Sequence, residues 1–161
     1  MKIKEILTID LSEDITNVID MENLQEEELL SEIENYIVTD GLASEFDKLA
    51  AVFSGNVKET GIWLSGFYGS GKSYLGKLWG YILSNPVILG TPARERILQR
   101  FTGINNESLI RNNIMALDSK NFMVIKFDIA KQNTNLGIAL TMMENFLKTL
   151  NIPENAFGIL L

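Results

Sequence analysis

Hydrophobic residues recur at helical spacing over several stretches of this 161-residue chain. In residues 22–38, apolar side chains fall on one stripe while most glutamates fall elsewhere, and residues 42–53 repeat the pattern up to Gly55. Further helices are predicted over 75–83, 93–101, 109–117 and 136–150, with Asn85-Pro86 and Gly103 as stop signals and Thr91-Pro92 as a start, Pro92 being the first helical residue. The stripe of the first helix consists of Leu29, Leu30, Ile33, Tyr36 and Ile37.

Two other apolar runs predict strands. Residues 62–64 are short and apolar, and residues 121–130 are rich in β-branched and aromatic side chains. From residue 62 the order is strand, loop, helices, strand, helix, which is typical of a right-handed parallel sheet. Two strands are too few for such a sheet. We therefore predict an α/β fold with an incomplete P-loop NTPase-type parallel sheet, preceded by an acidic helical segment.

The segment between the first predicted strand and its helix fits a phosphate-binding pattern. Gly66, Gly71, Lys72 and Ser73 match G-x-x-x-x-G-K-[ST]. Glycines let backbone N–H groups approach a phosphate, and the helix N-terminus favours the same anion. Lys72 is the predicted catalytic residue, reaching the β- and γ-phosphates of ATP, and the Ser73 hydroxyl is predicted to bind Mg²⁺. The predicted nucleotide-contacting residues are Gly66, Phe67, Tyr68, Gly69, Ser70, Gly71, Lys72, Ser73 and Tyr74.

A flexible Gly/Ser linker is the alternative interpretation of this segment, and the helical pattern that begins at once disfavours it. An ATPase also needs an acid at a strand end to hold the Mg²⁺ water shell. Asp128 is the candidate, and its alternative role is to end a strand or cap a helix. The next residue is Ile129 rather than a second carboxylate, and Asn-Lys-x-Asp is absent, so guanine specificity has no support.

The amino-acid composition limits the kinds of catalysis and metal binding that the chain can perform. The chain has no cysteine and no histidine, which excludes disulfides, thiolate metal sites and histidine-dependent catalysis. Residues 1–60 carry 4 basic and 15 acidic side chains, whereas residues 61–161 carry 10 and 6. This contrast predicts an acidic helical lead-in over 1–60 and a P-loop nucleotide-binding core over 61–161. The chain also lacks an 18-residue apolar stretch and a signal-peptide pattern, so we expect a cytoplasmic protein without membrane contact.

Direct DNA contact depends on where the basic residues lie. The acidic lead-in would repel a DNA backbone. Four arginines lie between the loop helix and the second predicted strand, and glutamates are interspersed among them. A solvated helix face is therefore favoured over a DNA-binding surface. These arginines are Arg94, Arg96, Arg100 and Arg111.

The run GIWLSGFYGSGKSYLGKLWGYIL, with DLSEDITNVIDM and EIENYIVTDGLASEF upstream, resembles the N-terminal region of the large P-loop ATPase of BREX bacteriophage-exclusion systems. The resemblance covers most of the chain and is clearest from Asp10 to Leu83. It implies an ATP-binding module of an antiviral defence system that includes a DNA methyltransferase, with other BREX components and further copies of the chain as partners. Position by position, Gly66 to Ser73 are the nucleotide loop, and Tyr74 stands where the family has His.

Members of that family are several times longer, so the resemblance implies that the Mg²⁺ acid, the sensor residues and the oligomer contacts follow Leu161. Two other functions stay open: a small-molecule kinase that uses the same loop, and a non-catalytic interaction module whose loop is vestigial. For this chain alone we expect Mg²⁺-ATP binding with little turnover. Turnover needs transition-state contacts, for which the sequence offers only Asp128 as a candidate.

Overall fold

The computed structural model describes residues 25–55, 61–132 and 137–152. Within these ranges the chain is mainly helical, with one two-stranded sheet, and no helix there is long and apolar enough to cross a bilayer. Two short 3-10 helices cover Ala116–Ser119 and Ile129–Lys131. The main elements are α1 (Glu26–Asn35), α2 (Asp40–Phe53), α3 (Lys72–Ser84), β1 (Val87–Ile88), β2 (Thr91–Pro92), α4 (Ala93–Gln99), α5 (Glu107–Met115) and α6 (Ile138–Thr149).

The helices begin and end where local signals place them. Thr39 caps α2, because its Oγ1 accepts a hydrogen bond from the Leu42 N–H at 3.3 Å. Helix α3 ends at Ser84, and Asn85 follows in the left-handed conformation. The predicted stop at Asn85-Pro86 is thus confirmed. Pro92 was predicted as the first residue of the next helix. It is instead the N-cap of α4, whose first residue is Ala93.

The predicted parallel sheet is wrong for the described residues. Their only sheet is the antiparallel pair β1–β2, which places Val87 opposite Pro92 and Ile88 opposite Thr91. The two runs predicted as strands, 62–64 and 121–130, carry no strand structure, and residues 129 and 130 lie in the second 3-10 helix. A parallel strand is stable only between hydrogen-bonded neighbours and under helices on both faces. Neither run has such a neighbour, so β-propensity alone does not make it a strand.

A core of aromatic and aliphatic side chains joins five helices. Phe46 of α2 lies at its centre, with ring centroids 5.4 Å from Trp79 of α3, 5.1 Å from Phe101 after α4, and 6.3 Å from Tyr36 after α1. Ile114 of α5 is also fully buried in this cluster. Both sides of the predicted boundary at residue 60 therefore contribute to one hydrophobic cluster, and the division into two parts stays a prediction.

Removing the Phe46 ring should strongly destabilise the fold. Phe46 is fully buried and touches three aromatic rings, so Phe46→Ala should lower the free energy of unfolding by about 3–5 kcal/mol. Chemical denaturation followed by circular dichroism measures this. The matched control is Ile37→Ala, whose side chain is 66% exposed, with an expected change within about 0.5 kcal/mol. Similar losses in both variants would contradict this assignment of the core.

Candidate functional site

The predicted phosphate-binding loop lies directly before α3. The chain turns at residues 67–70, where the Ser70 N–H donates to the Phe67 carbonyl at 3.2 Å. Gly69 and Gly71 both have a φ of +78°, in the left-handed region that glycine adopts without strain. Gly71 is also the N-cap of α3. The backbone therefore favours glycine at Gly71, which the motif fixes, and at Gly69, which the motif leaves free.

The first turn of α3 presents backbone N–H groups that its own helix does not use. The first intrahelical bond joins the Leu75 N–H to the Gly71 carbonyl at 2.9 Å, so the N–H groups of residues 72–74 have no acceptor within the helix. Helix α3 has 13 residues, and its dipole places partial positive charge at this end. The arrangement suits an anion such as a phosphate group.

The Lys72 side chain folds over the loop. Its Nζ donates to the carbonyl of Phe67 at 2.7 Å, to the carbonyl of Gly66 at 3.0 Å and to Ser70 Oγ at 3.3 Å. A Cβ at Gly66 would come within 2.9 Å of Ser70 Oγ, so glycine leaves room at the start of the loop. These contacts gather the loop around one ammonium group at the N-terminus of α3.

The other loop side chains face solvent. Phe67 and Tyr68 are almost completely exposed, and Ser70 and Ser73 are exposed as well. Ser73 lies in the first turn of α3, so its hydroxyl is accessible to a Mg²⁺ ion carried by phosphate groups. Ser73 thus fits the predicted role of a metal ligand.

The Tyr74 side chain does not face the loop, although Tyr74 is one of the predicted nucleotide-contacting residues. Its hydroxyl donates to the Glu32 carbonyl of α1, and its ring packs edge-on against Tyr36 with centroids 4.8 Å apart. Burial raises the pKa of Tyr74, and the Glu32 carboxylate raises it further. The Tyr74 side chain therefore fastens α3 to α1. The predicted nucleotide contact of Tyr74 can come only from its backbone.

Asp128 caps a short helix in this structure. Its Oδ1 accepts the Ala130 N–H at 2.9 Å, at the start of the 3-10 helix Ile129–Lys131. This is the capping role that the sequence left open. Binding of Mg²⁺ by Asp128 stays a prediction. The described residues hold no group of three or more acidic side chains suited to a metal ion.

A buried charge cluster behind the loop was not predicted. Lys77 of α3 is completely buried, and its Nζ donates to Glu32 Oε1 of α1 at 2.7 Å. Among the described residues, Glu32 Oε2 and the Tyr81 hydroxyl are buried without a hydrogen-bond partner. A signal was present in the sequence, since Glu32 is three and four residues from the core positions Leu29 and Tyr36. It therefore shares the buried face of its helix.

Lys126 completes this cluster from the segment 121–128. Its Nζ lies 3.9 Å from the centre of the Tyr81 ring, a cation–π contact. Its side chain passes so close to α3 that a Cβ at Gly80 would come within 2.8 Å of Lys126 Cδ. Glycine inside this helix therefore has a packing reason. Burial and the nearby Lys77 ammonium lower the pKa of Lys126 to about 8, although the Glu32 carboxylate opposes this shift.

One of the four arginines does not lie on a solvated face. Arg94 is buried, donating from Nε and Nη2 to the Ile82 carbonyl at 2.9 and 2.7 Å and from Nη1 to Asp118. The other three also donate to backbone carbonyls, as a planar guanidinium can. The solvated-face interpretation is thus wrong for Arg94. The other pairs are Arg96 with Ile88 and Leu89, Arg100 with Tyr36, and Arg111 with Leu98.

A cavity of about 340 Å³ lies apart from the loop, between the end of the 121–128 segment and α6. None of the predicted nucleotide-contacting residues lines it. Lys126 also lines this cavity, and the Asn145 amide there donates to Gln132 Oε1 at 3.2 Å. The lining residues are Ile125, Lys126, Gln132, Asn145, Lys148 and Thr149.

No protein-family model matches the chain, and no solved structure matches it. The geometry of the loop and of the residues that support it therefore carries the functional proposal.

The lowered pKa of Lys126 predicts a pH-dependent stability. In the unfolded chain this lysine titrates near its usual 10.5, and in the fold at about 8, so between these values the unfolded chain binds more protons. The Lys126 contribution should therefore make the melting temperature rise with pH from about 8. The buried Tyr74 and Tyr81 act in the opposite direction nearer pH 10, which limits the useful window to about pH 7–9.5.

Thermal unfolding across that window should show a rise in wild type and a smaller one in Lys126→Met. Lys48→Met is the matched control, because Lys48 is exposed on α2 and pairs with Glu45 one turn earlier. It should keep the wild-type slope. An unchanged slope in Lys126→Met would show that Lys126 is not the titrating group.

Proposed function

We propose that residues 66–73 bind the phosphates of ATP together with Mg²⁺, and that the chain is an ATP-binding module. The observation that carries this proposal is the loop itself. Gly69 and Gly71 take left-handed conformations directly before a 13-residue helix, and the Lys72 ammonium lies over the same loop. Backbone N–H groups, a helix dipole and one lysine thus act on a single anion.

Magnesium fits this site through Ser73 and the phosphate oxygens. The Ser73 hydroxyl is exposed in the first turn of α3. When bound, Mg²⁺ would neutralise charge between the β- and γ-phosphates. The part of this chain is to supply the hydroxyl ligand and to hold the phosphates in place with Lys72.

The biological role we propose is that of a module in a BREX-type anti-phage defence ATPase. The support is the resemblance of residues 10–83 to the N-terminal region of that ATPase family. Other components of the system, and further copies of the chain, would be its partners in the cytoplasm. A catalytic arginine from a neighbouring copy would then complete the site.

A small-molecule kinase is less well supported. Such an enzyme needs arginines free to close over the transferred phosphate. Arg94, Arg96 and Arg100 instead donate to backbone carbonyls of the fold. An interaction module with a vestigial loop makes the opposite prediction on binding, because it would not bind ATP at all.

Replacing Lys72 should weaken ATP binding more than tenfold, or about 1.4 kcal/mol. Lys72→Ala removes the charge that faces the phosphates and the three contacts that close the loop. Isothermal titration calorimetry with Mg²⁺-ATP measures the affinity. Lys48→Ala, on the exposed face of α2, is the control and should bind as wild type does. Equal affinity in wild type and Lys72→Ala would refute the role of Lys72, and no binding by wild type would favour the vestigial loop.

Turnover by this chain should be slow even where binding is intact. Asp128 caps a 3-10 helix, and a trans arginine alone is worth about 10³–10⁵ in rate. Phosphate release by the purified chain should therefore stay well below about 1 per second. The Lys72→Ala variant controls for contaminating ATPase. Faster release that disappears in this variant would overturn the expectation.

A further inference from the structure

Three aromatic side chains stand almost fully in solvent within six residues of the chain. Trp63 is 90% exposed, Phe67 is 91% exposed, and Tyr68 is fully exposed. Large aromatic side chains usually lie in cores or at binding surfaces, because each removes much apolar area from water when it is covered. A cluster that is left open in this way indicates a contact made by something other than these helices.

Two of these three residues belong to the phosphate-binding loop. The Phe67 carbonyl accepts hydrogen bonds from Lys72 Nζ at 2.7 Å and from the Ser70 N–H at 3.2 Å. The backbone that carries Phe67 and Tyr68 is therefore fastened to the group that would hold the phosphates. Their side chains begin inside the loop, whereas Trp63 lies three residues before Gly66.

We propose that Phe67 and Tyr68 stack on the base of the bound nucleotide, and that this contact makes the site selective for purine nucleoside triphosphates over bare polyphosphate. The inference rests on the proposed function. A nucleoside is covalently joined to the phosphates that Lys72 holds, so its base must lie near the loop. Every base has a π-face, and stacking on an aromatic side chain buries that face and the side chain together.

Stacking also determines which nucleotide bases the site can distinguish. It makes no hydrogen bonds to base edges, so it does not separate adenine from guanine. It does favour the larger purine rings over pyrimidines, since stacking strength follows the overlapping area. The expected order of affinity is ATP and GTP about equal, then UTP, then inorganic tripolyphosphate.

The test compares ATP with inorganic tripolyphosphate, which offers the same phosphates without a base. Calorimetry with Mg²⁺ present is run on wild type, on the double variant Phe67→Ala/Tyr68→Ala, and on Trp63→Ala. Loss of stacking should weaken ATP binding about five- to 150-fold in the double variant, with tripolyphosphate affinity unchanged. Trp63→Ala removes an equally exposed ring outside the loop and should change neither affinity.

The outcomes separate the two proposals. If wild type binds ATP and Lys72→Ala does not, the proposed function stands. Unchanged ATP affinity in the double variant would then overturn the stacking inference alone, and would leave the aromatic residues as a surface for a protein partner. An equal loss of ATP and tripolyphosphate in the double variant would also overturn it, because the rings would then shape the loop. A wild type that binds neither ligand would overturn both proposals.

Discussion

The packing of α3 is the constraint on which the rest of this structure depends. Behind its first turn the helix is surrounded. Trp79 stacks on Phe46 of α2, Tyr74 bonds to α1, and the Ile82 carbonyl accepts Arg94 of α4. Its N-terminus opens to solvent with the glycine loop. A helix end attracts an anion most effectively when its N–H groups are held in place beforehand. The hydrophobic core is therefore also the support of the candidate site.

Helical periodicity predicted the helices but not the fold class, and the apolar residues of α1 to α5 pack into one core. In α1 the stripe residues Leu29, Ile33 and Tyr36 are buried. Ile37, placed on the same stripe, is mostly exposed because α1 ends at Asn35 and the chain leaves the helix before it. Helix caps were predictable for the same local reason. They depend on residues that are near in sequence.

The strands were not predictable in this way, since a strand exists only through hydrogen bonds to another one. The apolar run at 62–64 has no such neighbour among the described residues, and Trp63 lies in solvent. Gly69 and Gly71 take left-handed conformations directly before α3, because glycine conformation and helix start are local, and phosphate binding by residues 66–73 stays a prediction. Lys77 escaped prediction, since burial of its charge depends on Glu32, 45 positions earlier. Asp128 caps a 3-10 helix, which is one of the two roles predicted for it and depends only on neighbouring residues. Its other predicted role, Mg²⁺ binding, needs partners that are distant in sequence.

The arginines in and next to α4 and α5 show that the number of basic residues does not equal the positive charge at the surface. Residues 61–161 hold four more basic than acidic side chains. Yet Arg94, Arg96, Arg100 and Arg111 all direct donors at backbone carbonyls within the fold. Affinity for a polyanion grows with the number of cations that can displace condensed counterions from it. Arg94 is buried and pairs with Asp118, so its charge is not available for this, whereas Arg100 stays exposed. The count of basic residues in 61–161 therefore includes an arginine whose charge holds helices together and adds nothing to the surface.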